Sequence, residues 1–182
     1  MTENRRLIGS FTHGSMANAL LHGIGAQVSH PDRQVIALAG DGGLAMMLGE
    51  LLTLTQNKLP VKTIVVNNSS LNFVELEMKA AGFVNYGTAL DNPSFAAIAE
   101  AMGIFARRVE NSEDLPDAVR EVLAHDGPAL LDVVTERQEL SMPPAIEAAQ
   151  VKGFALYAIR TVMSGKGDEL LDLARANWRQ FL

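Results

Sequence analysis

Short apolar runs alternate along the chain with longer stretches in which apolar side chains recur every three to four residues. Four runs have the length of a buried strand: 34–39, 61–66, 105–109 and 129–134. Five stretches have helical spacing: 16–28, 44–57, 73–80, 94–102 and a stretch that begins at Ser112. This alternation predicts an α/β fold, doubly wound, with a mostly parallel sheet and helices on both of its faces.

Polar residues and glycines mark the expected ends of these helices. Ser15 and Ser94 are suited to cap the first and the fourth helical stretch, because a side-chain oxygen there accepts a hydrogen bond from a free backbone N–H. Gly103 is expected to end the fourth stretch. In the first stretch, Gly23 and Gly25 are expected to allow close packing against a neighbouring element.

Residues 139–182 are predicted to form a helical tail that follows a first domain at residues 1–138, with Pro143-Pro144 between them. The first tail helix, 147–164, is expected to bury one apolar face, made by Val151, Phe154, Ala155, Ala158, Ile159 and Val162. The second, 168–182, carries Trp178 and Phe181 on its apolar side. Such a helix packs on its own protein or on a neighbouring subunit, or it lies in a membrane interface, and the pattern leaves these alternatives open.

Two polar segments each follow a predicted strand: Gly40-Asp41-Gly42 and Asn67-Asn68. Because ligands of parallel sheets bind at the carboxyl ends of the strands, we expect Asp41 and Asn68 to lie at one edge of the sheet. A carboxylate, an amide oxygen and a backbone carbonyl suit Mg²⁺, which prefers about six oxygens and usually keeps phosphate and water among them. Gly42 and Gly43 are expected to let the backbone approach a phosphate at the N-terminus of the next helix.

Each polar segment alone is also typical of an ordinary turn without a ligand. We favour a ligand site because both segments close a strand and a helix of suitable length lies between them. Among the four histidines no pair has metal-ligand spacing on a helix, and His13 is the one site candidate, with a structural role as its alternative.

Taken together, the two segments resemble the thiamine diphosphate motif of the thiamine-dependent decarboxylase and oxidase superfamily. Further segments are similar to bacterial pyruvate oxidase, also called pyruvate dehydrogenase (quinone): 9–19, 59–62, 77–80, 152–157, 165–169 and 177–178. The resemblance covers essentially the whole chain but only the last third of that enzyme. It implies a C-terminal diphosphate-binding domain with thiamine diphosphate and Mg²⁺ as cofactors.

The resemblance implies roles for individual residues. Asp41, Asn68 and the backbone carbonyl of Ser70 are implied metal ligands. Met16 is implied to support the bend between the two cofactor rings, and Phe73 to lie near the reactive face, although both are also suited to an ordinary core. The complete set of implied cofactor contacts is Gly14, Ser15, Met16, Asp41, Gly42, Gly43, Asn68, Ser69, Ser70, Leu71, Asn72, Phe73 and Val74.

As an activity, the resemblance implies oxidation of pyruvate to acetate and CO₂, with electrons passing through FAD to a quinone. In that family the glutamate that activates the cofactor lies in a pyrimidine-binding domain of a partner subunit, and FAD binds a middle domain. Neither domain is in this chain, and Glu50, Glu75 and Glu77 are wrongly placed to replace the glutamate. We therefore expect a homo-oligomeric enzyme of which this chain, alone inactive, is an excised domain, a fragment or one product of a split gene.

Composition argues against several other classes of protein, namely disulfide-bonded, nucleic-acid-binding, membrane-spanning and secreted ones. The 182 residues include no cysteine, which rules out disulfides and thiolate chemistry, and the net charge of −6 argues against a nucleic-acid partner. No apolar run reaches the roughly 18 residues of a spanning helix, and the first residues lack the apolar core of a signal peptide. We expect a cytoplasmic protein, and the resemblance implies that the tail contacts lipid on the inner face of the membrane.

Two other interpretations stay open. The chain could belong to another thiamine enzyme such as acetolactate synthase, against which the tail and Glu77-Met78-Lys79 argue. It could also be a stand-alone, non-catalytic diphosphate-binding or regulatory module that keeps the fold.

Overall fold

A computed structural model of the chain describes residues 5–137 and 148–177. Its helices and strands are, in chain order, α1 (Asn18–Ser29), β1 (Ile36–Gly40), α2 (Asp41–Met46), α3 (Leu51–Gln56), β2 (Lys62–Asn67), α4 (Asn72–Ala80), α5 (Phe95–Ala101), β3 (Phe105–Val109), α6 (Leu115–Ala124), β4 (Ala129–Val134), α7 (Ala148–Met163) and α8 (Gly167–Asn177). Short 3₁₀ turns precede α3, at Leu48–Glu50, and α6, at Ser112–Asp114.

The four described strands pair in the order β1-β2-β4-β3, and every pairing is parallel. The register places Gly40 at the end of β1 beside Val66, so that Asp41 and Asn67 leave neighbouring strands at the same edge. The predicted α/β class with a parallel sheet is therefore confirmed, as are the four predicted strands to within about two residues at each end.

Two compact units make up the described chain, the first from residues 5–67 and 92–135 and the second from residues 68–91, 136–137 and 148–177. In the first unit, one cluster of buried side chains packs α1, α2, α3 and α5 on the sheet through residues such as Leu20, Leu51 and Phe95. A second cluster packs α6 on β3 and β4 through Val122 and Leu131. Helices on both sheet faces follow from these two clusters, as predicted.

The start of α1 differs from the prediction. Ser15 is not its cap, because Gly14 and Ala17 have left-handed backbones with φ of +56° and +66°, and the helix begins only at Asn18. The two glycines of this helix also differ. A Cβ on Gly23 would lie 3.2 Å from the Ala37 Cβ, which confirms close packing there, whereas a Cβ on Gly25 would meet nothing within 4 Å.

The stretch predicted as one helix over 44–57 is two helices. The first begins earlier than predicted, at Asp41, and the backbone of Met47 leaves the helical region with φ of −127°. Leu44, Leu51 and Leu54 nevertheless all point into the core, so the helical spacing of the apolar side chains survives a break that their pattern does not reveal. The predicted cap of the next helix in this unit, α5, is confirmed, since the Ser94 hydroxyl accepts the Ala97 N–H at 3.2 Å.

In the second unit, α7 packs on α4 through a face other than the predicted one. The buried residues of α7 are Gly153, Tyr157 and Thr161, while Val151, Ile159 and Val162 are 58–61% exposed. The cause is close approach of the two helices: a Cβ on Gly153 would lie 1.7 Å from the Ala80 carbonyl oxygen, so only glycine fits there. Hydrophobicity alone selected the wrong side.

Several predictions for the tail lie outside the described residues: the Pro143-Pro144 separation, the start of the first tail helix at Glu147, and Trp178 and Phe181. The predicted domain boundary at 138/139 lies there too and stays a prediction. The second unit joins 68–91, which the prediction included in the first domain, with the described part of the tail. Among the described residues, no helix combines the length and apolarity that crossing a membrane requires.

Candidate functional site

Asp41 is a buried carboxylate at the carboxyl edge of the sheet. It directly follows β1 as the first residue of α2, and it is only 3% exposed. Its Oδ1 accepts the Gly42 N–H at 2.8 Å, and its Oδ2 accepts from the amide nitrogen of Asn92 at 2.7 Å. Two donors therefore orient a carboxylate whose negative charge the helix N-terminus favours.

Asn92 connects Asp41 with the end of β2. Its Nδ2 atom also donates to Oδ1 of Asn67, at 3.0 Å, and Asn67 is itself buried. The Nδ2 atom of Asn67 donates in turn to Oδ1 of Asp132, within β4, at 3.0 Å. A hydrogen-bonded series thus runs across three adjacent strands, from Asp41 through Asn92 and Asn67 to Asp132.

Asp132 is fully buried and anchors the far end of this series. Its Oδ2 accepts from the Phe95 N–H at 3.1 Å and from Arg108 Nη1 at 2.6 Å. The hydrogen bond between Arg108 and Glu110 raises the pKa of Arg108, burial opposes this, and the bond and charge of Asp132 raise it further. The guanidinium therefore remains a permanent positive partner for the buried carboxylate.

Sequence reasoning missed Asn92, Asp132 and Arg108 as parts of the site. Asn92 precedes Pro93 in the loop before α5, a position that is typical of a turn and does not indicate a site. Asp132 did carry a signal, since an acid inside the apolar run 129–134 must find partners when the strand is buried. The identity of those partners depends on pairing between distant strands, which no local pattern records.

In the second unit, the segment Asn68–Leu71 forms a tight turn. Oδ1 of Asn68 accepts the Ser70 N–H at 3.1 Å, and Ser69 has a left-handed backbone with φ of +54°. Ser70 is buried and pairs with Ala89 in an isolated antiparallel bridge. The implied metal ligands of this segment, the Asn68 side chain and the Ser70 carbonyl, are thus two residues apart in one ordered turn.

The carboxylate of Glu75, on α4, lies beneath this turn. Its Oε2 accepts from the hydroxyls of Ser70, at 2.9 Å, and Thr88, at 3.1 Å. Its Oε1 accepts from Lys79 Nζ at 2.8 Å and from Asn85 Nδ2 at 3.0 Å. Burial acts to raise the pKa of Glu75, but the hydrogen bond and charge of Lys79 and the two hydroxyls outweigh it and hold the pKa below its ordinary value.

The other implied cofactor contacts are mostly accessible. Phe73 is 74% exposed and Met16 is 47% exposed, so the described structure does not use either as a core residue. Gly14, Ser15 and Val74 are exposed, and so is His13. The partly buried members of the set are Gly43, Asn68, Ser69, Leu71 and Asn72, and Gly42 is buried beside Asp41. Phe73 follows the turn Asn68–Leu71 by two residues, and an accessible aromatic side chain beside a polar turn suits a ligand with an aromatic part.

The residues present fit a magnesium diphosphate. Among the described residues, no group of three His, Cys, Asp or Glu side chains could hold a metal ion alone, so a bound cation would need amide, carbonyl and ligand oxygens as well. Asp41 supplies a carboxylate oxygen, Asn68 an amide oxygen and Ser70 a backbone carbonyl oxygen. This all-oxygen set suits Mg²⁺ rather than zinc. Asp41 belongs to the first unit and the other two to the second, so their sharing of one ion stays a prediction.

Two of the three candidate glutamates are hydrogen-bonded to other side chains, and the third is exposed. Glu75 is bound on both oxygens, and Glu50 accepts from the Thr53 hydroxyl at 2.8 Å. Glu77 lies on the exposed side of α4. The expectation that the activating glutamate lies elsewhere stays a prediction.

Residues 1–133 match the family described as thiamine pyrophosphate enzyme, C-terminal TPP binding domain. The chain therefore belongs to this family, and the matched range contains every implied cofactor and metal residue. The fold agrees: 68% of the chain superposes on 24% of the thiamine diphosphate-dependent 4-hydroxybenzoylformate decarboxylase of Rhodococcus jostii RHA1, with a TM-score of 0.64 and 32% identity.

Two relatives differ in how specific their names are: one is named only for its cofactor, the other for an enzyme activity. The chain is 34% identical over 181 residues to the putative thiamine pyrophosphate-containing protein YdaP of Bacillus subtilis, covering 100% of this chain and 31% of that protein. It is 33% identical over 159 residues to the acetolactate synthase large subunit of Porphyra purpurea, covering 84% and 27%. The chain thus spans less than a third of these relatives, and neither of them is named a pyruvate oxidase.

Proposed function

We propose that this chain is the part of a thiamine diphosphate-dependent enzyme that binds the diphosphate and its Mg²⁺ ion. The observation that carries the proposal is Asp41, a buried carboxylate held by Gly42 and Asn92 at the carboxyl edge of the sheet, in a chain of the TPP-binding family. Asp41, the Asn68 side chain and the Ser70 carbonyl bind the metal. Gly14, Met16 and Phe73 contact the organic part of the cofactor.

When bound, thiamine diphosphate would supply a carbon nucleophile for a 2-oxo acid and an electron sink for its decarboxylation. The residues of this chain orient the cofactor. Phe73, exposed on α4, would lie near the reactive part of the bound cofactor, and Met16 would support the bend between its two rings. The activating glutamate comes from a separate domain, in keeping with relatives that are more than three times longer than this chain.

Calorimetric titration of the full chain with thiamine diphosphate and Mg²⁺ tests the proposal. We expect binding that requires Mg²⁺, and a loss of affinity of more than about tenfold in Asp41→Ala and in Asn68→Ala. The exposed residues Asp32 and Asn111 offer matched controls, and Asp32→Ala and Asn111→Ala should bind as the wild type does. Binding by Asp41→Ala at wild-type affinity would contradict the assignment.

For the complete enzyme we propose pyruvate as the substrate, FAD and a quinone as electron acceptors, acetate and CO₂ as products, and a homo-oligomer as the assembly. The similarity of segments 77–80 and 152–157 to pyruvate oxidase supports this proposal. The second candidate is acetolactate synthesis, which the named relative from Porphyra purpurea favours. Product analysis of an enzyme containing this chain, given pyruvate and a quinone, discriminates the two: acetate supports the first and acetolactate the second.

The tail carries a further proposal, contact with lipid at the inner face of the membrane by an otherwise cytoplasmic enzyme. Its support is the outer face of α7, where Val151, Ile159 and Val162 are 58–61% exposed at helical spacing. An exposed apolar stripe of this kind favours an interfacial contact.

A further inference from the structure

The turn Asn68–Leu71 has a conformation that its own residues do not favour. Ser69 has a φ of +54°, in the left-handed region where a residue with a Cβ is disfavoured. Two backbone hydrogen bonds tie the turn to the loop that follows α4: Leu71 N–H to Thr88 O at 2.8 Å, and Leu90 N–H to Ser69 O at 3.0 Å. A disfavoured backbone persists only where its surroundings hold it.

Glu75 stabilises this conformation through hydrogen bonds to both of the segments that the backbone bonds join. One oxygen, Oε2, accepts from Ser70 Oγ on the turn and from Thr88 Oγ1 on the facing loop. All three residues are at most 4% exposed, so the hydrogen bonds are shielded from competition with water. A single carboxylate oxygen therefore joins the two segments whose main chains pair.

The second carboxylate oxygen of Glu75 pairs with a cation, which stabilises the negative charge of the side chain. Lys79 lies one helical turn further along α4 and forms a fully buried ion pair with Oε1 at 2.8 Å. The Tyr157 ring of α7 lies 5.7 Å from Lys79 Nζ, which adds a cation–π contact. The buried carboxylate thus stays ionised, and an ionised acceptor forms stronger hydrogen bonds than a neutral one.

We propose that Glu75 is a positioning residue that holds Asn68 and the Ser70 carbonyl in the conformation in which they bind Mg²⁺. Glu75 does not contact the ion. It acts through Ser70 and Thr88, and the inference rests on the proposed function for its metal. The exposed neighbour Glu77, on the same helix, has no such role.

Amide hydrogen exchange of the full chain without ligands tests the first half of this proposal. In Glu75→Gln we expect the amides of Leu71 and Leu90 to exchange at least about tenfold faster than in the wild type, because each depends on the held turn. The amides of Ile64 and Leu131, in the sheet, should stay better protected than those of Leu71 and Leu90, which distinguishes local opening of the turn from unfolding of the whole chain. Glu77→Gln should match the wild type throughout. Unchanged protection of Leu71 and Leu90 in Glu75→Gln overturns the proposal.

Ser70→Ala keeps the test decisive if Glu75→Gln does not fold. This variant keeps the Glu75–Lys79 ion pair and the Ser70 carbonyl but removes the hydroxyl that Glu75 holds. It should speed exchange at the same two amides, while Ser112→Ala, on an exposed residue, should not.

Titration with thiamine diphosphate and Mg²⁺ tests the second half. Glu75→Gln and Ser70→Ala should each weaken Mg²⁺-dependent binding by about tenfold. The double variant should bind as Glu75→Gln alone does, because both changes remove the same hydrogen bond between Ser70 and Glu75. Additive losses, or wild-type affinity in Glu75→Gln, overturn the positioning role. Absence of binding by the wild-type chain instead overturns the proposed function, and the exchange measurement still decides whether Glu75 holds the turn.

Discussion

The side-chain nitrogen of Asn92 donates to Oδ2 of Asp41 at 2.7 Å, although 51 residues separate the two along the chain. The same nitrogen reaches Asn67 at the end of the neighbouring strand. One neutral amide therefore fixes the carboxylate proposed to bind Mg²⁺ and joins it to β2. Neutrality suits this role, because the donor orients Asp41 without cancelling the charge that attracts a cation.

Asn92→Ala should weaken both the fold and the proposed metal site. Loss of this donor removes hydrogen bonds to two buried acceptors, so we expect the free energy of unfolding to fall by about 1–3 kcal/mol. Mg²⁺-dependent affinity for thiamine diphosphate should fall about tenfold or more. Urea unfolding and calorimetric titration measure the two effects.

The control for this variant is Asn111→Ala, since Asn111 is exposed. It should change the free energy of unfolding by no more than about 0.5 kcal/mol and leave cofactor affinity unchanged. If Asn92→Ala loses stability but keeps full affinity, the amide is structural and does not orient Asp41.

Close approach of α4 and α7 predicts a strong effect of one methyl group. In Gly153→Ala the new Cβ would lie 1.7 Å from the backbone oxygen of Ala80, which cannot rotate away, so the two helices must separate. We expect a loss of about 3 kcal/mol or more in the free energy of unfolding. Circular dichroism during urea unfolding checks this.

Gly25→Ala, in α1, is the matched substitution of a helical glycine. A Cβ there meets nothing within 4 Å, so alanine should raise the free energy of unfolding by about 0.5–1 kcal/mol through its helix propensity. Equal effects of the two substitutions would show that helix propensity, and not the contact with Ala80, determines the result.

The sequence predicts those structural features that depend on residues close together along the chain. The strands at Phe105–Val109 and Ala129–Val134 and the Ser94 cap were predicted correctly because apolar runs and capping residues act over a few neighbours. The break at Met47 was missed because the apolar spacing continues through it. The buried face of α7 was wrong because glycine, tyrosine and threonine form it, and the contact geometry, not hydrophobicity, selects them.

The same distinction between local signals and long-range contacts applies to the candidate site. Asp41 and Asn68 follow strands, so their position at an edge of the sheet could be predicted from chain order and the parallel pairing. Asn92, Asp132 and Glu75 contribute through hydrogen bonds to residues that are distant in sequence or hidden in a helix, and their residue types carry no motif. Family resemblance did not identify them either.

The Glu75–Lys79 pair predicts a pH dependence of stability. The pKa of Glu75 is lower in the fold than its ordinary value of 4.5, so the unfolded chain binds the proton more readily. Its contribution to the free energy of unfolding is thus complete above about pH 5 and is lost as the pH falls through the lowered value. Lys79 is the cation that faces Glu75, at 2.8 Å, and Tyr157, whose pKa burial raises, stays neutral over this range.

Glu75→Gln should therefore lower the free energy of unfolding at pH 7 by about 3–5 kcal/mol, because one partner of a buried ion pair is removed. Between about pH 5 and pH 3 the variant should lose less further stability than the wild type. Urea unfolding at four pH values measures both slopes. Glu77→Gln should keep the wild-type slope, and a parallel slope in Glu75→Gln would place the acid sensitivity in other carboxylates.

The purified 182-residue chain should not oxidise pyruvate, because its relatives contain more than three times its length and the activating glutamate is expected in the remainder. Acetate formation and reduction of ferricyanide, with saturating thiamine diphosphate, Mg²⁺ and FAD, are the measurements. A complete thiamine enzyme serves as the positive control. Turnover by the chain that Asp41→Ala abolishes would show that the catalytic groups are all present here.

The exposed face of α7 predicts how the tail meets lipid. Ile159→Glu with Val162→Glu places two charges on side chains that are 58% and 61% exposed, so the packing of α7 on α4 should survive. If this face contacts lipid, the double variant should float with anionic phospholipid vesicles several-fold less than the wild type, since a charge in the apolar layer is unfavourable.

Leu38→Glu controls for loss of apolar surface in general, because Leu38 is 64% exposed but lies on β1 of the first unit. It should float as the wild type does. Near-ultraviolet circular dichroism checks that Tyr157 keeps its packed environment in the double variant. Equal flotation of all three proteins would assign the α7 face to contact with protein, either the remainder of the enzyme or a second copy.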